Sequence, residues 1–304
     1  MDSALLTIGL PIPLAVIMFG LGLSLTPADF RRVRQNPRAV TTALVCQLLV
    51  LPVIAFGLVE LFGLSPLLAV GFMILAASPG GTTANLYSHL FRGDVALNIT
   101  LTAINSLIAV ISLPLVTNWA IGHFVDEGES IGLQLDKLLQ IFAIVLIPVV
   151  IGMFVRRRSP EFADRMDRPV RTASAIMLVL VVLAAMWTER ENISDYLAEV
   201  GLIAAIFCIL SLSIGYAVPR RLGLSEDQAV ASGFEIGIHN STLAIAMAIT
   251  VLGNAQMSIP AAVYGVLMFP IAAVFGMIVR NRKVLSGSSS GVAAEAADHR
   301  GDAR

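Results

Sequence analysis

The chain has 304 residues, of which 57% are hydrophobic and only 13% charged, whereas a soluble globular domain carries about 25% charged residues. That composition excludes an ordinary water-soluble fold and places the chain in the membrane class. The net charge of −1 offers no basic footprint; no nucleic-acid partner is expected, and the lipid bilayer is.

In chain order, nine hydrophobic segments reach the roughly 20 residues needed to cross a bilayer. They cover approximately 4–25, 39–62, 66–90, 95–117, 138–155, 171–188, 198–218, 228–252 and 257–279. The expected fold class is an all-α polytopic membrane protein with about nine transmembrane helices. Met1-Asp2-Ser3 carries no basic region, so the first apolar run reads as a retained helix and not as a cleaved signal. Cys46 and Cys208 both sit inside apolar runs and are expected as small buried hydrophobes without a disulfide.

The loops predict orientation. Arg31, Arg32, Arg34 and Arg38 follow segment 1, and Arg92 follows segment 3. Arg156, Arg157, Arg158, Arg165, Arg168 and Arg171 follow segment 5, Arg220 and Arg221 segment 7, and Arg280, Arg282 and Lys283 segment 9. Sixteen of the 20 basic residues therefore lie in alternate loops. The intervening loops hold Asp126, Glu127, Glu129, Glu189, Glu191 and Asp195 instead. Excess Lys and Arg mark the cytoplasmic side, so the N-terminus is expected outside and the C-terminus inside. Residues 284–304, opening with Ser286-Gly287-Ser288-Ser289-Ser290-Gly291, have no apolar face and read as a disordered cytoplasmic tail.

Two segments are interrupted by glycine and polar residues. Segment 3 contains Ser78-Pro79-Gly80-Gly81-Thr82-Thr83-Ala84-Asn85, and segment 8 contains Glu235-Ile236-Gly237-Ile238-His239-Asn240. A helix broken at membrane depth frees backbone carbonyls and amides, which is tolerated only where they line a cavity or a site. A buried Glu in an apolar helix costs about 2.5 kcal/mol or more unless it faces a partner or water. Gly63-Leu64-Ser65 ahead of one break matches Gly223-Leu224-Ser225 ahead of the other. Ser65 with Pro66 reads as an N-cap and first-turn proline, and Ser225 with Gln228 as a capping box. By the loop pattern the two elements run in opposite directions, which predicts an inverted repeat pairing segments 1 to 4 with 6 to 9 and leaving segment 5 unmatched.

A helix resuming at Thr82 presents free amides that suit an anion, and the carbonyls ending the preceding half-helix suit a cation. Thr82, Thr83 and Asn240 are the expected substrate-binding residues, because no Lys or Arg lies at membrane depth to hold a carboxylate. In segment 4, Asn98, Thr102 and Asn105 share one helical face at i, i+4 and i+7; such a face also fits a polar packing seam between helices. Gln47 in segment 2 fits either interhelical glue or an oxygen ligand. His89, near the end of segment 3, and His123, in an outer loop, read as solvated. Neither a Walker-type phosphate loop nor a His/Cys metal cluster is present in the membrane segments, which argues against an ATP-driven pump.

At these residues the sequence resembles the bile acid:sodium symporter family, bacterial members included, over nearly the whole chain to about residue 283. The specific parts are Pro79-Gly80-Gly81-Thr82-Thr83-Ala84-Asn85, Arg92-Gly93-Asp94-Val95-Ala96-Leu97 and Glu235-Ile236-Gly237-Ile238-His239-Asn240. The resemblance implies two inverted repeats whose broken helices cross within a core domain, 39–117 and 198–279, beside a panel domain of segments 4–25, 138–155 and 171–188. It implies co-transported sodium ions and a small organic anion as substrate. A first sodium site would map onto Ala84, Asn85, Asn98, Thr102 and Glu235, with Ala84 where the family often has Ser. A second would map onto Gln47, Glu235, Ile236, Ile238 and His239, where the family commonly has Gln at the last position. Imidazole suits a hard alkali cation less well than oxygen does.

The function these residues and the resemblance imply is sodium-coupled symport of a bile-acid-like or small carboxylate solute across a bacterial inner membrane, by alternating access. A proton-coupled transporter using His239 and Glu235 is the alternative. Outside that class stand a membrane receptor and an intramembrane enzyme, the latter with Ser241 near His239 as its one candidate nucleophile and base; no enzymatic activity is expected.

Overall fold

The computed structural model describes residues 11–24, 33–125, 135–166, 169–170, 172–173, 176 and 193–301. Segment 6 falls almost wholly outside the described residues, as do residues 1–10 of the N-terminus. In chain order the described helices are α1 (Pro11–Ser24), α2 (Pro37–Phe62), α3 (Pro66–Ala77), α4 (Thr82–Leu90), α5 (Val95–Phe124), α6 (Leu135–Arg158), α7 (Ile193–Arg221), α8 (Glu226–Gly237), α9 (Ser241–Val251) and α10 (Ile259–Gly301).

Among the described residues, four spans are long and apolar enough to cross a membrane: Pro37–Phe62, Val95–Phe124, Ala198–Arg221 and Gln256–Arg280. Pro66–Ala77 and Ser241–Val251 are shorter apolar helices, as halves of broken segments must be. Together they make the chain a multi-pass membrane protein. Large apolar side chains such as Leu49, Val53, Leu61, Leu115 and Val266 are exposed on these helices, where a bilayer supplies the apolar solvent.

Sequence and structure differ at two ends. α5 continues two turns past the expected 117, because Trp119-Ala120-Ile121-Gly122-His123-Phe124 keeps up an apolar helical run. His123 is therefore in the last helical turn and not in a loop. The backbone of α10 stays helical to Gly301, where a tail without structure is expected from 284; Gly291-Val292-Ala293-Ala294-Glu295-Ala296-Ala297 contains strong helix formers. The side chains from 281 on lie outside the described residues.

α1 packs against α6 at two glycines. A Cβ on Gly22 would strike the Val149 carbonyl, and one on Gly152 the Phe19 carbonyl, the close backbone approach small residues permit between membrane helices.

The broken elements repeat one design at a spacing of 160 residues. Gly63 (φ 61°) ends α2, and Gly223 (φ 82°) follows α7. Each donates its amide three residues back, to Glu60 and Arg220, and the next residues, Leu64 and Leu224, donate to Val59 and Pro219. This is the Schellman closure, which needs a left-handed residue and so selects glycine. α3 and α8 begin one residue after Ser65 and Ser225, and each runs 12 residues. Asp94 and Asn254 then cap the following helical turns, accepting from the amides of Leu97 (2.9 Å) and Met257 (3.1 Å).

The two breaks meet. Gly80 and His239 form an isolated antiparallel bridge. The Gly81 amide donates to the Ile238 carbonyl and the Asn240 amide to the Pro79 carbonyl, both at 2.8 Å. Backbone groups freed by one interruption are thus partly satisfied by the other, which lets both breaks exist away from water.

Candidate functional site

Glu235 is the one carboxylate among the fully buried residues described, and its exposure is 0%. It lies in the last turn of α8 and points at the polar face of α5. Thr102 Oγ1 donates to its Oε2 at 2.6 Å, and Asn105 Nδ2 donates to its Oε1 at 3.1 Å. Each carboxylate oxygen thus has one hydrogen-bond partner on α5. Behind it lies Gly80: a Cβ there would collide with the carboxylate. The bare Cα of Gly80 lets the break between α3 and α4 close over Glu235.

Thr102 also stands 3.0 Å from the Asn98 carbonyl, so its single hydroxyl proton chooses between two acceptors. Asn98 is wholly buried and donates its amide to Ser88 Oγ and to the Ala231 carbonyl, both at 2.8 Å. That leaves Asn98 Oδ1 without a partner, along with Asn105 Oδ1 and Asn85 Oδ1. Buried carbonyl oxygens without donors are uncommon; they are the hard, neutral ligands an alkali cation takes. Ala84 is buried and offers only its backbone.

The structure thus brings Asn98, Thr102 and Glu235 together and adds Asn105, which directly bonds the carboxylate. The helical spacing of Asn105 from Asn98 and Thr102 was the signal for it. Ser88 and Gly80 carried no such signal, since their roles depend on which segments pack together.

The residues of the expected second cation site form a separate cluster. α2 holds a π turn over Cys46–Val50, a local widening often found at functional positions, and Gln47 lies in it. Gln47 Nε2 donates to the Ser78 carbonyl at 3.0 Å, and His239 Nδ1 meets the same carbonyl at 3.2 Å. A carbonyl only accepts, so Nδ1 carries a proton, and in the neutral ring Nε2 then presents a lone pair. Gln47 Oε1 and His239 Nε2 are both buried without partners. The imidazole is stacked on Phe207 at 5.4 Å and meets the Tyr264 ring edge-on at 5.3 Å. Neither Gln47 nor His239 bonds to Glu235. The Ile238 carbonyl takes the Gly81 amide, and Ile236 is buried.

Among the candidate anion ligands, Thr82 is exposed and Thr83 half-buried at the start of α4, whose N-cap, Gly81, supplies no side-chain acceptor. Asn240 is half-buried, and its Oδ1 caps α9 through the Leu243 amide at 3.1 Å. Only its amide group is left for a ligand. Cys46 and Cys208 are free and buried, and among the described residues no cluster of His, Cys, Asp and Glu could hold a transition metal.

A multi-pass helical membrane protein with a buried carboxylate where two helix breaks meet belongs with secondary transporters. Residues 11–196 match the sodium bile acid symporter family, and the chain belongs to that family, whose members are sodium-coupled transporters and not enzymes. It is 30% identical over 257 residues to the uncharacterized sodium-dependent transporter YocS of Bacillus subtilis, covering 83% of this chain and 77% of that one. It is 25% identical over 282 residues to the probable chloroplastic sodium/metabolite cotransporter BASS2 of rice, Oryza sativa subsp. japonica, covering 93% of this chain and 65% of that one. The human ileal sodium/bile acid cotransporter is 28% identical over 243 residues, covering 79% of this chain and 69% of that one. The chain spans a little under two thirds of the length of the rice relative.

Proposed function

We propose that this chain is a sodium-driven symporter of an organic anion, working by alternating access in a bacterial inner membrane with its N-terminus outside and its C-terminus in the cytoplasm. One observation carries the reading: Glu235 is fully buried, accepts only neutral donors, and sits beside amide side chains whose oxygens lack partners. A buried carboxylate without a countercharge costs several kcal/mol. A sodium ion held by Glu235 with oxygens of Asn98, Thr102 and Asn105 removes that cost. Asn85 and the backbone of Ala84 complete the set, and the Gln47–His239 cluster is the place for any second ion.

The anion is held at the start of α4, by the amides and hydroxyls of Thr82 and Thr83 with the free amide of Asn240. The units at a spacing of 160 residues are the inverted repeats, and their hydrogen-bonded breaks are the fixed point about which they exchange access. Relatives named for bile acid and for metabolite transport support a carboxylate solute.

The test is uptake into proteoliposomes of three labelled probes: a bile acid, a small keto acid and pantoate. An inward sodium gradient should raise uptake of at least one of them severalfold, and replacing sodium with potassium should abolish the gain. Uptake of every probe that is the same in sodium and potassium would overturn the proposal.

A further inference from the structure

Outside the polar centre, α2 and α5 enclose an apolar groove of about 390 Å³. Its walls are Val53 and Phe56 from α2 and Leu115 and Trp119 from α5; its floor is Met73 of α3. Val53 is 69% exposed, Leu115 51% and Trp119 48%, whereas Met73 is 2% exposed. The groove therefore opens on the membrane face and reaches inward to the packed core.

The groove has polarity along its length. Val53, Phe56 and Glu60 lie on one face of α2, and Leu115, Trp119 and His123 on one face of α5. Over about 10–12 Å along each helix the lining passes from aliphatic to aromatic to charged. At the polar end His123 Nε2 bonds Glu60 Oε1 at 3.2 Å, with both side chains about half exposed. His123 stacks on Trp119, their planes 6° apart, and Phe56 packs edge-on against both at 5.2–5.3 Å. An exposed Trp ahead of a polar His–Glu contact is the arrangement found where a helix passes from hydrocarbon to headgroup.

From this gradient we infer that the groove is a binding site for one phospholipid with a zwitterionic, primary-ammonium headgroup of the ethanolamine type. One acyl chain lies along Leu115, Val53 and Phe56 above Met73. The ammonium sits on the second carboxylate oxygen of Glu60, which His123 leaves free, and the phosphate faces the His123 ring. Charge complementarity selects against a net negative head, which would bring its charge against Glu60 with no ammonium to offset it; a primary ammonium, unlike a quaternary one, also has N–H groups to donate to the Glu60 oxygen.

Trp119 reports on the site directly. The chain has two tryptophans, so Trp187→Phe leaves Trp119 as the only strong emitter. The full-length variant is reconstituted in phosphatidylcholine containing rising fractions of a brominated-chain phosphatidylethanolamine or, separately, phosphatidylglycerol. The ethanolamine lipid should quench Trp119 at a fraction about two- to fivefold lower than the glycerol lipid, the selectivity a partly exposed ion pair supplies. Glu60→Gln should erase that difference, and Glu60→Asp, which keeps the charge, should retain it. Equal quenching by both lipids before and after Glu60→Gln would make the groove ordinary lipid-facing surface and overturn the assignment. Trp119 shielded from both lipids, with Trp119→Cys cross-linking between chains, would make it a contact between two copies and overturn it equally.

Discussion

The unit that runs from Gly63 through α3 and α4 into α5 has its counterpart 160 residues later, from Gly223 through α8 and α9 into α10. The two share glycine closures, helix length and the capping turns at Asp94 and Asn254. They differ in chemistry. Glu235 of the second unit stands where the first has Leu75, and Thr102 and Asn105 of the first stand where the second has Ala262 and Gly265. One unit brings the charge and the other brings the oxygen-bearing face. The polar centre exists only because the breaks meet and bond.

The comparison breaks hardest at its closest packing. A Cβ on Gly71 would collide with the Met257 carbonyl, a backbone group that cannot rotate away, whereas the counterpart of Gly71 is Ala231. Gly71→Ala should cost about 4 kcal/mol or more, the exceptional range for a single substitution. Ala231→Gly, by contrast, should cost only about 1–2 kcal/mol, from helix propensity and the loss of one buried methyl. Thermal unfolding in detergent measures both, and equal losses would show that the matched units do not pack as described.

Asn105 sharpens the difference in chemistry. Asn105→Ala removes a donor to Glu235 and should weaken sodium affinity about tenfold or more, from about 1.5–3 kcal/mol for a hydrogen bond to a charged group. Gly265→Ala at the matching position should leave sodium affinity unchanged, though its Cβ would crowd Ser241 at 3.1 Å and cost some stability. Sodium-dependent thermal stabilisation reads both, and an equal affinity loss in the two variants would place the cation elsewhere.

The smallest effect lies at the caps. Ser225 and Gln228 cap α8 locally, each accepting from the other's amide at 3.3 Å. Ser65 has Leu68 at the matching position, and its amide is taken instead by Glu199 of α7 at 2.8 Å. Ser225→Ala and Glu199→Ala should each cost about 0.5–2 kcal/mol of stability, the second by loosening α3 from α7 as well. Hydrogen exchange of the first turns of α3 and α8 distinguishes the two, since each substitution should speed exchange in one helix only.

Much of this was legible in the sequence because it rests on local rules. The Gly-Leu-Ser match at 63 and 223, the Ser225–Gln228 box, both helix breaks and the polar face of α5 follow from residue type and spacing along the chain. The face showed Asn105 without showing that it reaches Glu235, because periodicity gives a direction and not a neighbour. Gly80 was legible as a helix breaker; that it makes room for a carboxylate 155 positions away depends on how the two units dock. In the same way, Gln47 and His239 meet on one carbonyl of Ser78, a contact no single segment encodes. His123 lies in the helix and not in the expected loop, because the apolar run continues past 117 and Trp119 and Phe56 give its ring a packed place.

The central claim is that Glu235 balances a sodium ion supplied with oxygen ligands by the other unit. It is tested most directly by equilibrium binding of radioactive sodium to the purified full-length protein and to Glu235→Gln, a change that keeps the shape and removes the charge. Saturable sodium binding in the first and its loss in the second, by about 100-fold or more in affinity as expected when a buried charge loses its partner, is the predicted result. Sodium binding of the same affinity and amount in both proteins would contradict it.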